Sequence, residues 1–121
     1  MEVKEILSKI KNDFYNYDLT DSIIESIQFT ENLMDLKIIV DYYFTEKEEE
    51  HIALLFKKCT AVNYSLKRDV YELNHFELNY SQFTITKVKV EQIKNQIVIK
   101  IFTVNDENEF LEIICQDVYF S

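Results

Sequence analysis

The side chains best equipped for chemistry crowd into one stretch, DYYFTEKEEEH, residues 41–51. Asp41, Glu46, Glu48, Glu49, Glu50 and His51 bring carboxylates and an imidazole together. Tyr42 and Tyr43 add ring area with a hydroxyl at its edge. As a metal site, His51 behind three consecutive glutamates fails on geometry. Successive residues of an extended chain point in different directions, whereas metal ligands converge on one point. As a binding surface the same residues are coherent. Clustered carboxylates create a negative field that speeds encounter with a basic partner. Tyrosine anchors an interface at small entropic cost. The plainer alternative is a charged hairpin loop that keeps a strand edge soluble. The candidate partner-binding residues are therefore Asp41, Tyr43, Glu46, Glu48, Glu49, Glu50 and His51.

Three other constellations are weaker. Asp18, Asp21 and Glu25 offer paired carboxylates of the kind that hydrolysis uses, but aspartate in "YNYDLTDS" suits turn capping better. Asp21, Ser22 and His75 make a triad only on paper, with no turn signature to support it; His75 reads as a hydrogen-bonded structural histidine. Cys59 and Cys115 each sit inside an apolar strand pattern and read as buried, reduced thiols. One pair is no disulfide framework, and neither belongs to a C-x-x-C motif.

The missing residues exclude more than the present ones suggest. The chain has no glycine and no proline, where about eight and six would be usual. A P-loop needs glycine to wrap phosphate, and a dinucleotide-binding turn needs it for close approach. A nucleophile elbow needs it for its sharp turn. The H-E-x-x-H zinc pattern is absent too. Left-handed positions must fall to Asn, Asp or another residue under strain. This reading expects no catalytic residue, no metal and no cofactor: a binding protein, not an enzyme.

The elements that position these residues follow from hydrophobic spacing. A chain of 121 residues fits a single domain. Residues 1–16 hold an amphipathic helix, its pattern running from 2 to 15, with Val3, Ile6, Leu7, Ile10 and Phe14 on one side. Residues 21–120 are mainly antiparallel strands. Runs fall at 22–29, 33–43, 51–64, 83–93, 96–104 and 110–120, with turns at 30–32, 94–95 and 105–109. Met34, Leu36, Ile38, Val40 and Tyr42 share one face of the second run, and Ile52, Leu54 and Phe56 are the inner set of the third. Residues 65–80 are ambiguous: Asp69 and Glu72 have capping-box spacing, yet Phe76, Leu78 and Tyr80 alternate like a strand. The expected architecture is α+β, with the helix packed on an antiparallel meander of about six to seven strands. If 44–50 closes a hairpin, Tyr43 faces His51, Asp41 faces Ala53 and Ile39 faces Leu55. That register also opposes Lys37 to Lys57, which is unfavourable.

Charge narrows the partner. The chain has 22 acids against 13 bases, a net charge of −9. Nucleic acid is bound by Lys and Arg that displace counterions, and Arg68 is the sole arginine. Direct nucleic-acid binding is disfavoured, and an anionic membrane likewise. No apolar run approaches the roughly 20 residues of a spanning helix, and the N-terminus lacks a signal peptide's apolar stretch. The expected location is cytoplasmic, and the natural complement is a basic protein partner.

The pattern "DSIIESIQFTENLMDLKIIVDYY" leading into "HIALLFKKCTAVNYS" and closing on "LEIICQDVYF" resembles the small acidic immunity proteins of Gram-positive bacterial toxin clusters. The resemblance implies tight, non-enzymatic binding that blocks a cognate toxin, often a basic nuclease. The alternative is a structural or regulatory module that assembles as a homodimer through a sheet edge.

Overall fold

The structure, a computed structural model, describes residues 3–47, 49–65, 83–103 and 109–121. It is α+β with antiparallel sheets. Helix α1 (Val3–Asn16) is followed by β1 (Ile23–Phe29), β2 (Leu36–Asp41), β3 (His51–Lys57), β4 (Ala61–Tyr64), β5 (Ile85–Ile93), β6 (Gln96–Thr103), β7 (Leu111–Cys115) and β8 (Asp117–Phe120). The strands do not form one meander. They divide into two four-stranded sheets, ordered β1-β2-β3-β8 and β4-β7-β6-β5.

The division arises because two apparently continuous runs cross from one sheet to the other. Residues 51–64 become β3 and β4, and residues 110–120 become β7 and β8. Together they make one antiparallel ribbon. Lys57 opposes Asp117 in the first sheet and Ala61 opposes Ile114 in the second, so residues 58–60 face only 115 and 116. That extra residue is a bulge, which bends a strand and increases its twist. Lys58 takes the left-handed conformation there (φ 54°). Asp35, on the turn from β1 to β2, holds the bend: its carboxylate accepts from Lys58 N at 3.0 Å, Lys57 Nζ at 2.6 Å and Asn32 Nδ2 at 3.2 Å. Asp35 is only 4% exposed, so its charge requires these donors.

Between the sheets lies one apolar cluster. The first sheet contributes Leu36, Ile38, Val40, Ile52, Leu54 and Phe56, and the second Ile97, Ile99, Ile101, Leu111 and Ile113. Period-2 alternation placed the six first-sheet residues correctly. Of the other two residues expected on that face, Tyr42 is half-buried against the same cluster and Met34 is exposed. The β2–β3 register also differs from expectation by two residues: His51 opposes Asp41, Ala53 opposes Ile39, and Leu55 opposes Lys37. A shift of two preserves the faces and removes the Lys37–Lys57 clash. Lys57 instead faces Asp117 across the ribbon.

The helix fills one open corner of this two-layer arrangement. Ile10 enters the central cluster, with Val3, Ile6, Leu7 and Phe14 against it. Around it the Phe14 and Phe120 rings meet edge to face at 4.8 Å, and Lys9 Nζ reaches Asp117 Oδ1 at 2.9 Å. The helix thus lies against β5, β6 and β8, not over the Ile39–Leu55 face of the first sheet. At another corner, Ile23 bridges Thr84, and Ile24 N donates to Phe83 O at 2.9 Å, joining the starts of β1 and β5.

Without glycine, left-handed positions fall to Asp21, Leu33, Lys58 and Lys94. Only one of the four is an Asx residue. Lys94 opens the two-residue loop between Ile93 and Gln96, where glycine is favoured. A non-glycine residue in this region costs about 1–2 kcal/mol, and glycine's extra unfolded-state freedom offsets about 0.5–1 kcal/mol of the relief. Lys94→Gly is therefore expected to stabilise the fold by about 0.5–1 kcal/mol, read as a higher urea midpoint at unchanged m-value. A lower midpoint contradicts this account.

Candidate functional site

The 41–51 segment folds as a hairpin with its tip in solvent. Tyr42 N donates to Glu50 O at 2.8 Å, closing the loop one pair beyond Asp41 and His51. Thr45 Oγ1 donates to Glu50 Oε1 at 2.5 Å and accepts from Lys47 N at 3.1 Å. Tyr43 N donates to Oγ of the buried Ser22 at 3.0 Å. The two tyrosines separate. Tyr42 turns inward beside Tyr17; burial first, then the charges of Asp18 and Glu50, push its hydroxyl above the ordinary tyrosine range. Tyr43 stays 61% exposed and pairs edge to face with Phe44 at 5.0 Å.

The expected partner-binding residues have different surroundings. Glu46 and Glu49 are exposed. Glu50 is half-buried and committed to Thr45, and Asp41 is half-buried in its strand. His51 Nε2 lies 2.9 Å from Glu25 Oε2 and 3.6 Å from Glu49 Oε1. Glu48 lies outside the described residues. Phe44 and Glu25 belong to this surface and were not anticipated. Phe44 gave a signal, as a third aromatic in a row. Glu25 gave none, because strand pairing alone brings it to His51. Among the described residues, no group of three or more His, Cys, Asp or Glu is placed to hold a metal ion.

The weaker constellations are engaged elsewhere. Asp18 Oδ1 accepts from Thr20 N at 3.0 Å, and this Thr20 contact holds its carboxyl below the usual range. Asp21 N donates to Ile85 O, while Glu25 belongs to His51. The three acids serve separate purposes. Ser22 Oγ is taken by Tyr43 N, and His75 and the 65–80 question lie outside the described residues from 66 onward. Both cysteines are free thiols. Burial pushes Cys59 up, and burial, with Cys59 and Asp117 nearby, pushes Cys115 up to about 12. Since the thiolate is the reactive form, neither thiol is activated. An aromatic disulfide reagent at neutral pH should label both only slowly in the native protein and both at once in denaturant. A fast native thiol contradicts this.

A cleft elsewhere in the molecule was invisible in the sequence. Opposite the helix, the edge strands β1 and β4 stand apart and leave a cleft of about 630 Å³ that opens into the core. Ile27 opposes Ile38 and Phe29 opposes Leu36, so both point to the inner face; Val62 and Tyr64 oppose Ile113 and Leu111 and do the same. Phe29 and Tyr64 nonetheless remain 50% and 52% exposed. These are core-facing side chains without full cover.

Among the described residues no helix is long and apolar enough to cross a membrane. No model of a known protein family matches the chain, and no curated protein is significantly similar to it.

Proposed function

We propose that this protein acts by stoichiometric binding and not by catalysis, as an immunity-type inhibitor of a basic toxin such as a nuclease. The observation that carries the reading is the hairpin tip, where the exposed Tyr43–Phe44 pair stands among Asp41, Glu46, Glu49 and Glu50. Aromatic anchors ringed by charge are what a docking surface uses. The net charge of −9 supplies the long-range attraction.

The test is capture of a partner from the source organism, followed by binding kinetics. A basic protein held one to one supports the reading. Glu46→Lys together with Glu49→Lys should then slow association by about tenfold at low salt and far less at high salt, with dissociation little changed. Association that ignores both the charge reversal and the salt removes the tip as the steering surface.

One observation favours a second reading. Among the described residues β4, and β1 beyond its first residues, are sheet edges with no strand on the outer side, which suits a homodimer formed edge to edge. Light scattering across a concentration series separates the two: a stable dimer with no captured partner supports the second.

A further inference from the structure

The cleft and its edge carry a more specific assignment. Beyond its first residues, β1 has no strand on its outer side among the described residues. Half of the main-chain donors and acceptors of an edge strand face away from its neighbour, and proteins usually guard such an edge with lysine, proline or a bulge. Here a bulge lies at Glu25, between Ile24 and Ser26. From residue 12 to residue 36 the chain has six acids and no base. No lysine guards the edge, and Glu25 and Glu31 flank it with negative charge.

We propose that the cleft between β1 and β4 receives an extended segment of the basic partner, which adds to the part of the β1 edge that no described strand covers and seats alternate apolar side chains against Ile27, Phe29, Val62 and Tyr64. The assignment rests on the basic-partner reading above and names the surface on which such a partner ends. Three features fit it. An added strand satisfies the main-chain groups that β1 leaves open. Side chains alternate along a strand, so every second one enters the cleft, whose volume suits a few apolar side chains. The others face outward beside Ser26 and Gln28, with Lys37 paired to Gln28; Glu25 and Glu31, at the two ends of the strand, attract Lys or Arg there and repel Asp or Glu.

The probe is a peptide of alternating lysine and valine as long as β1, seven residues, titrated into the full-length isotope-labelled protein and followed by backbone amide NMR and hydrogen exchange. Shifts should concentrate at Glu25–Phe29 and Ala61–Tyr64, with outward-facing β1 amides gaining at least about tenfold protection. An alternating serine–valine peptide should bind at least about tenfold more weakly, as should the first peptide to Phe29→Lys. Since Phe29 is half-exposed, that variant should fold; the serine–valine comparison needs no variant. Equal affinity for the two peptides overturns the proposal. So do shifts confined to Tyr42–His51, although these leave the basic-partner reading standing. Absence of any shift at about 1 mM while a captured basic protein still binds overturns the cleft alone; failure of capture removes the reading beneath it. Protection of the β1 amides before peptide is added means that the edge is already taken, by this chain or a second copy, and also overturns the proposal.

Discussion

Asp35→Ala is expected to lower the melting temperature by about ten degrees, the scale of losing several hydrogen bonds to one buried charge. The residue lies next to Leu36 at the β2 end of the cleft, and its importance is topological. The bend at Lys58 lets one ribbon serve two sheets, and Lys58 adopts a conformation that a lysine adopts only when surrounding structure imposes it. Asp35 imposes it through Lys58 N, with Lys57 Nζ and Asn32 Nδ2 on the same carboxylate. Alanine removes all three bonds at once and leaves the Lys58 amide without its acceptor. Asp35→Asn, which keeps the shape but not the charge, should lose less.

The acid dependence has a defined sign. The Lys57 ammonium first, and the Lys58 amide second, hold the Asp35 carboxyl down from the ordinary 3.8 to about 2. A carboxyl whose folded pKa is depressed contributes stability that is fully present above its unfolded pKa and lost as the pH falls toward the folded one. The stability gap between wild type and Asp35→Asn should therefore be constant from neutral pH down to about 5 and narrow between about pH 4 and pH 2. Paired urea titrations at these pH values measure it. A gap that stays constant to pH 2 contradicts the assigned role of the charge.

The second large effect is expected from Ile10→Ala, at about 2–5 kcal/mol, against a typical total of about 5–15 kcal/mol. Ile10 is the helix's one fully buried residue. The helix has little stability of its own. Its 14 residues are near the lower limit for an isolated helix in water. One acid, Glu5, lies in its first turn and no base in its last, so the macrodipole is weakly opposed. Docking must come from the apolar face, and truncation at its centre leaves a cavity between the sheets. Urea unfolding should show the loss, with helix amides exchanging earlier than those of β6. Lys4→Ala, on the exposed side of the same helix, should stay within about 0.5 kcal/mol. Equal effects at the two positions contradict the packing described.

Much of the fold was legible because its signals are local. Helix spacing located α1 within a residue at each end, and strict alternation named Leu36, Ile38, Val40, Ile52, Leu54 and Phe56 as core. "KN" at 94–95 marked a hairpin turn although Lys94, not glycine, takes the strained conformation. The candidate surface was half legible. The acids and aromatics of 41–51 were visible, but which ring turns inward was not. Tyr42 and Tyr43 are neighbours with opposite fates because strand direction alternates, and Ser22 and Glu50 fix where the alternation stops.

The sequence by itself determined a glycine-free, strongly acidic α+β chain, the faces of its strands, and the exclusion of motifs that need glycine to approach phosphate. Only the tertiary structure decided that there are two sheets, that the helix fills one corner, and that β1 and β4 leave a cleft at the other. The physical reason lies in the bends. They are carried by Lys58 and by Gln116 between β7 and β8, residues with no turn signature, and the bend at Lys58 is held by Asp35 from a distant part of the chain. A bend enforced by a remote carboxylate leaves no local trace, so residues 51–64 and 110–120 each read as one strand until the fold brings Asp35 to Lys58.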